Sequence, residues 1–460
     1  MHHFQYIDNE LFCEDVPVSD IAREVGTPFY LYSHATLRQH FRAFDDAFAD
    51  IKHLTCFSMK SNSNLAVLRL FGLEGGGMDI VSGGELYRAL KAGIPPEKIV
   101  YSGVGKRVED LKYALESDIL MFNVESVQEI LKLNEVAGRV GKKARIAIRV
   151  NPDVDPKTHP YISTGLKENK FGIDINEAPD QYAMAAGLDN LEVSGVSCHI
   201  GSQLTEVRPF VDALEKVKGL ITRLKASGIH IKCLDLGGGL GITYEKEEPP
   251  HPRRYAEAIK EKLGTLDLTL IFEPGRVISG NAGILVTRVV YTKSTGDKTF
   301  FIVDAAMNDL MRPSLYNSYH EIQPVKITGR AKVKADIVGP ICESGDFFAK
   351  EREIEAFESE ELMAIMSAGA YGFSMSSTYN SRPRACEIMV KAGRFYIIRS
   401  RETYENLIQG EMVPDFLKDN PNVAKVEDAS RKIPVHRGDL RRKGLDNVGD
   451  GVSSAFPSGK

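Results

Sequence analysis

Lys60 ends the apolar run Thr55-Cys56-Phe57-Ser58-Met59 and is followed by the polar Ser61-Asn62-Ser63-Asn64. An ammonium at the mouth of a strand is either a solvated surface charge or a reactive amine held by a scaffold. Other chemically interesting residues also sit where short apolar runs stop. Asp235-Leu236-Gly237-Gly238-Gly239-Leu240-Gly241 offers consecutive backbone N–H groups to a phosphate, although turns use glycine for positive φ as well. Glu273-Pro274-Gly275-Arg276 sets an acid and a base three apart, as a site or as an ion pair that closes the fold. His199-Ile200-Gly201-Ser202-Gln203 carries a histidine that is equally at home in a structural role. Further on, Cys342-Glu343 puts a thiol beside a carboxylate, and Gly369-Ala370-Tyr371-Gly372 presents a phenol. The glycine run does not continue as GxGxxG into a first βαβ unit. Gly103-Val104-Gly105-Lys106 lacks the spacing and the following Ser or Thr of a P-loop.

The elements that must hold these residues follow a rhythm. Apolar runs recur at residues 54–59, 78–82, 99–102, 119–124, 144–150, 193–200, 231–236 and 269–272. Amphipathic stretches separate them, such as 84–92, 108–116, 126–136, 211–227 and 255–263. Eight strands alternating with helices match a (β/α)8 TIM barrel in count and length, with a doubly wound open sheet as the competing arrangement. Polar and glycine-rich residues just after the strands favour the barrel, as does the aperiodic segment 151–172 after the fifth strand. Before the barrel come a helix from about Ser19, the β-rich run 29–32, and Ser33 as an N-cap to a helix with Leu37, Phe41, Phe44 and Phe48 on one face. After about Leu285 the runs 286–291, 300–303, 335–338, 362–366 and 385–398 follow with little helix between them, which reads as a mostly antiparallel β-domain. The expected division is a barrel over 34–285, a β-domain from 1–33 and 286–417, and a tail over 418–460. The tail carries a basic cluster (Arg431, Lys432, Arg437, Arg441, Arg442, Lys443) and reads as a flexible extension or a nucleic-acid or partner arm.

With 460 residues, 43% of them hydrophobic, the chain has room for a barrel plus a second domain. A net charge of −5 gives no general attraction to nucleic acid or anionic membrane. No window approaches the ~18 uninterrupted apolar residues of a membrane span, and the start lacks a signal peptide's apolar core. Six scattered cysteines without a CxxC pair read as reduced thiols, which points to the cytoplasm and away from a metal site.

A lysine, a phosphate cradle and a carboxylate at separate strand ends suit pyridoxal 5′-phosphate. Lysine forms an imine with its aldehyde, glycine N–H groups hold its phosphate, and a carboxylate keeps its pyridine nitrogen protonated. The motifs FSMKSNSN, CHIGSQ, DLGGGLG, EPGR, RPSLY, GPICESGD and GAYGFSMSSTYNSRPR extend this reading. Over roughly residues 4 to 417 the chain closely resembles the diaminopimelate decarboxylases, a branch of the alanine-racemase-like (fold type III) pyridoxal-phosphate family. That resemblance implies decarboxylation of meso-2,6-diaminopimelate to L-lysine and CO2, the last step of lysine biosynthesis.

It also implies roles. Lys60 would be the cofactor lysine, His199 would stack on the ring, and Asp79 and Arg149 would line the barrel floor. Ser202, Gly238, Gly239, Gly275 and Arg276 would surround the phosphate, and Glu273 would bind the pyridine nitrogen. Substrate would meet Arg276, Arg312, Tyr316 and Glu343, with Tyr371 touching both cofactor and substrate. Cys342 would return a proton to the α-carbon, and Cys342 and Glu343 would act across a homodimer interface.

The chemistry agrees: an arginine fork suits a carboxylate, and a zwitterionic distal group calls for both Arg312 and Glu343. Sister decarboxylases of ornithine, arginine or carboxynorspermidine resemble this chain in the barrel, but the ornithine-type branch places aspartate after the cysteine. Alanine racemases pair the pyridine nitrogen with arginine where this chain has Glu273. Non-catalytic carriers of the superfamily look like a barrel alone, and regulatory homologues tend to lose the lysine or the thiol.

Overall fold

The structure is a computed structural model and describes residues 2–154, 170–264, 266–296 and 298–417. Eight parallel strands close a barrel in chain order: His53–Ser58, Gly77–Ile80, Ile99–Tyr101, Met121–Val124, Ala144–Asn151, Leu191–Ser197, Cys233–Asp235 and Thr269–Phe272. Closure comes from the last strand pairing with the first, Phe272 opposite Thr55. All eight apolar runs of the sequence are therefore strands, and the open sheet is excluded. The helices between them agree to within a few residues, Val108–Glu116 at both ends. Helix Ala178–Ala186 has no counterpart in the sequence reading: its alanine-rich face gives only a weak 3.6-residue period.

Alternation along the strands produces two layers inside the barrel. Cys56, Val100, Met121, Ala147 and Ile271, each from a different strand, pack as one buried apolar cluster. Two residues further along those strands come Ser58, Ser102, Asn123, Arg149 and Glu273, on the same face by the period of two. The barrel is thus floored with hydrocarbon and topped with polar groups.

The second sheet runs in the order Phe347–Glu355, Lys332–Val338, Lys298–Val303, Gly283–Thr295, Phe29–Ser33, Cys386–Lys391, Arg394–Arg399. Most of its pairings are antiparallel. Lys298–Val303 with Lys332–Val338 and Phe29–Ser33 with Cys386–Lys391 are parallel. Ser33 ends its strand and caps helix His34–Asp45, its Oγ accepting from Thr36 N–H at 3.0 Å. Leu37, Phe41, Phe44 and Phe48 are all buried behind that cap.

The chain divides into two compact units, Met1–Leu407 and a second starting at Ile408. Of the second, the described part ends in a single turn, Asp415–Leu417. Most of the 151–172 segment and the whole basic tail lie outside the described residues. No described helix is long and apolar enough to cross a membrane.

Candidate active site

The polar layer of the barrel is bonded across its interior. Ser58 Oγ donates to Asp79 Oδ2 at 2.6 Å, and Lys60 Nζ donates to the same oxygen at 2.7 Å. Ser102 donates to Glu273 Oε1 at 2.9 Å. Asn123 Nδ2 reaches both Asp235 at 2.7 Å and Glu273 at 3.2 Å. Strands three and four therefore touch residues of strands seven and eight, which only side chains filling the barrel do.

The charges of this layer do not balance. Asp79, Asp235 and Glu273 are buried together with one nearby ammonium, Lys60. Burial first, then the charges of Asp235 and Asp79, hold the Glu273 carboxyl well above the usual carboxylate range. Asp235 is pushed up to about 6, again chiefly by burial. Burial pulls the Lys60 ammonium down, but Asp79, Glu273 and Tyr371 outweigh it and its pKa rises. Asp79 Oδ1 and Asn123 Oδ1 are buried without a hydrogen-bond partner. The floor of the site is short of cationic or hydrogen-donating groups.

At the mouth the imbalance is reversed. Arg276 and Arg312 are both buried, and neither has a carboxylate partner among the described residues. Arg276 donates to Tyr244 Oη at 2.6 Å and Ser202 Oγ at 3.1 Å, while its Nε is unpartnered. Its guanidinium lies 4.9 Å from the Tyr371 ring centre, and Arg312 lies 5.1 Å from that of Tyr244. Arg276, Arg312 and Tyr244, together with Gln203, Glu247, Tyr316, Ser318 and Tyr319, line a cavity of about 160 Å³. Tyr371 holds a left-handed backbone (φ 55°), a costly conformation for this residue type, and its N–H donates to Ser61 O at 2.8 Å.

Between floor and mouth lies the glycine turn. Gly238 N–H donates to His199 Nδ1 at 3.2 Å, which leaves the ring proton on Nε2. Burial and the charges of Arg149 and Lys60 press the His199 pKa well down, so the ring is neutral. A Cβ at Gly238 would overlap the Glu273 carbonyl oxygen, and one at Gly239, where φ is +119°, would overlap Gly201 O. At Gly275 it would come within 3.1 Å of Ser58 and Ser61. These glycines let the turn after the seventh strand and the end of the eighth pack backbone against backbone, with no room for a side chain between them. Arg149 is held from below by Glu125 at 3.0 Å.

The single chain thus gathers Lys60, Asp79, Arg149, His199, Ser202, Gly238, Gly239, Glu273, Gly275, Arg276, Arg312, Tyr316 and Tyr371 around one barrel mouth. Cys342 and Glu343 stand outside that set. Both are exposed: Cys342 N–H donates to Asn380 Oδ1 at 3.1 Å, and Glu343 Oε1 accepts from Gly345 N–H at 3.3 Å. Sequence reasoning did not single out Ser58, Ser102, Asn123 and Asp235 as site residues, nor Tyr244 and His320. For the strand residues the available signal was their place two positions above a buried apolar neighbour.

A floor needing a cation, a mouth needing anions and a close-packed glycine turn beside one lysine fit pyridoxal phosphate, with its pyridinium, phosphate and aldehyde. The family model described as "Pyridoxal-dependent decarboxylase, pyridoxal binding domain" matches residues 34–280, which sets the class. The chain is 54% identical over 408 residues to the diaminopimelate decarboxylase of Aquifex aeolicus, covering 88% of this chain and 97% of the relative. Against that of Pseudomonas aeruginosa it is 55% identical over 411 residues, covering 89% and 99%. The crystal structure of the Helicobacter pylori diaminopimelate decarboxylase complexed with L-lysine superposes with a TM-score of 0.82 at 45% identity, covering 85% of this chain and 98% of that one. This chain belongs to the diaminopimelate decarboxylase family.

Proposed function

We propose that this enzyme removes CO2 from meso-2,6-diaminopimelate to give L-lysine, the last step of lysine biosynthesis, with pyridoxal 5′-phosphate as cofactor. One observation carries the reading: an excess of buried carboxylates below Lys60 faces two buried arginines without carboxylate partners above it. That pattern suits a cofactor with a cationic ring and an anionic phosphate, and a substrate with two carboxylates.

When bound, pyridoxal phosphate supplies an electron sink for the pair left behind as a carboxyl group departs. Lys60 would hold it through its amine, with Asp79 keeping that amine in place. Glu273 would face the ring nitrogen, oriented by Ser102 and Asn123, and a cation there would favour the ionised carboxylate that burial and its acidic neighbours otherwise oppose. The neutral His199 ring would cover one face, and Asp79 and Arg149 would bound the floor. Gly238, Gly239 and Gly275 would give backbone room to the phosphate, with Ser202 and Arg276 donating to its oxygens. Closing the site to water strengthens each of these charge interactions.

Arg276, Arg312 and Tyr316 would take the substrate's carboxylates, and Tyr371 would border both molecules. Glu343 would meet the distal amine, and Cys342 would deliver the proton that replaces CO2. Their exposure in the single chain supports a homodimer in which a second copy brings both to this barrel. The division of labour is a barrel over 34–285 that holds the cofactor and a β-domain over 1–33 and 286–417 that selects the substrate, in a cytoplasmic enzyme.

Purified protein with pyridoxal phosphate should release CO2 from meso-diaminopimelate and form lysine in stoichiometric amounts. Release from ornithine, arginine or carboxynorspermidine in preference to diaminopimelate would overturn the substrate assignment.

A further inference from the structure

We propose that His320 is a positioning residue for Arg312: it accepts the Arg312 Nε–H as an uncharged acceptor and so aims the remaining guanidinium donors at the substrate's distal carboxylate. The inference rests on the assignment of Arg312 to that carboxylate and adds the device that orients it.

Both ring nitrogens of His320 are engaged. Nδ1 lies 2.8 Å from Met366 O, which only accepts, so Nδ1 carries the proton. Nε2 is then a lone pair, and Arg312 Nε donates to it at 3.4 Å. The imidazole is fully buried, and burial together with the adjacent Arg312 charge lowers its pKa to about 3. The two bonds and the lowered pKa together hold the ring in its uncharged form. Arg352 Nη1 donates to the His320 carbonyl at 3.0 Å and fixes the residue from the other side.

The local chain brings the two residues together. Helix Arg312–Tyr316 ends at Asn317, whose left-handed conformation (φ 51°) turns the chain back. Ser318 Oγ then accepts from Arg312 Nη2 at 3.2 Å, and His320 comes beneath the guanidinium. The imidazole also packs edge-on against Tyr244, 5.3 Å between centres, and the Tyr244 ring faces Arg312.

An acid in place of His320 would hold the guanidinium too, but it would engage two donors and cancel the charge. A neutral acceptor uses one donor, leaves the positive charge intact and leaves the Nη1 edge open. A buried arginine bonded only through neutral groups is costly without an anion, and the cost is relieved when a carboxylate arrives.

Three variants test this: His320→Phe, His320→Glu and His320→Gln, each read by steady-state kinetics on diaminopimelate, by cofactor absorbance and by thermal unfolding. Losing a bond to a charged group predicts that Phe raises KM about 10- to 100-fold while kcat moves much less and cofactor absorbance stays. Glu should raise KM at least as far by occupying the fork. Gln offers an acceptor and a donor at similar reach and should recover most of the loss.

A folded, cofactor-bearing Phe variant with unchanged KM overturns the proposal, as does a Gln variant no better than Phe. If Phe does not fold, an unchanged KM in the Glu variant overturns it. Arg312→Gln separates the two layers. If it leaves KM unchanged, the assignment of Arg312 fails; if it raises KM while the His320 variants do not, only the positioning role fails.

Discussion

Asp235→Asn tests the charge imbalance at the barrel floor. Asp235 is fully buried, accepting from Asn123 at 2.7 Å and from Gly237 N–H at 2.8 Å. Burial is the largest cause that lifts its pKa from an ordinary 3.8 to about 6, against hydrogen bonds with Gly237, Asn123 and Glu273, and the Asp79 charge adds to the rise. In the unfolded chain the same carboxyl titrates near its ordinary value. Between those two values the folded cofactor-free protein keeps a proton that the unfolded chain has lost, so stability falls as pH rises. Above about pH 6 the full cost is present, and at ~1.4 kcal/mol per pH unit it comes to about 3 kcal/mol.

Asparagine has nearly the same shape and cannot ionise. Any pH-independent penalty, such as a less favourable contact with the Asn123 amide, shifts the variant's stability by a constant. The difference in unfolding free energy, variant minus wild type, should therefore climb by about 2 kcal/mol from about pH 4 to about pH 7, the rest of the cost being incurred below about pH 4. Urea unfolding of the cofactor-free proteins at a series of pH values measures it, through the midpoint at constant slope. Saturating pyridoxal phosphate should flatten the climb, because its cationic ring favours the ionised carboxylates. A difference that is flat or falling over this range in the cofactor-free protein would refute the reasoning.

Two further perturbations address the site above this floor. Lys60→Ala should release pyridoxal phosphate on gel filtration and lose the visible absorbance of the enzyme-bound cofactor; retention of both would remove Lys60 from its role. Gly238→Ala should drive a methyl group into the Glu273 carbonyl oxygen. Overpacking of about 1–3 kcal/mol is expected, seen as a lower melting temperature together with weaker cofactor binding. A variant that matches wild type in both would show that the glycine turn is not needed for backbone room.

What the sequence made legible follows from where the physics is local. The barrel strands stand out because both faces are buried and the runs are continuously apolar. Lys60, His199 and Glu273 stand out because they end such runs, where the backbone reaches the mouth. Ser102 and Asn123 are hidden because a serine that ends an apolar run, or an asparagine that interrupts one by a single residue, is also what a turn or a strand edge looks like. Their significance comes from bonds across the barrel to Glu273 and Asp235, and such contacts leave no periodic trace. Tyr244 and His320 are hidden for the same reason: one lies after the seventh strand and the other after helix Arg312–Tyr316, and only the fold stacks them beside Arg312. Likewise, the pairing of Phe29–Ser33 with Cys386–Lys391 joins segments more than 350 residues apart, beyond the reach of any local pattern.

The exposure of Cys342 and Glu343 leads to the sharpest test of the proposed assembly. The barrel mouth gathers arginine, tyrosine and a neutral histidine, and the thiol proposed to replace CO2 with a proton is not among these residues. The proposed donor is instead on a surface loop and exposed. If a second copy supplies it, Lys60→Ala and Cys342→Ala damage different chains of the same site. Each variant alone is then inactive or nearly so, while a mixed dimer keeps one site built from an intact Lys60 on one chain and an intact Cys342 on the other. Random exchange of equal amounts makes about half the dimers mixed, each with one of two sites restored, so about a quarter of wild-type activity should return. Mixing after brief partial unfolding, followed by the CO2 assay, measures the recovery. Activity that stays at the sum of the separate variants would place donor and lysine in the same chain and refute the shared site.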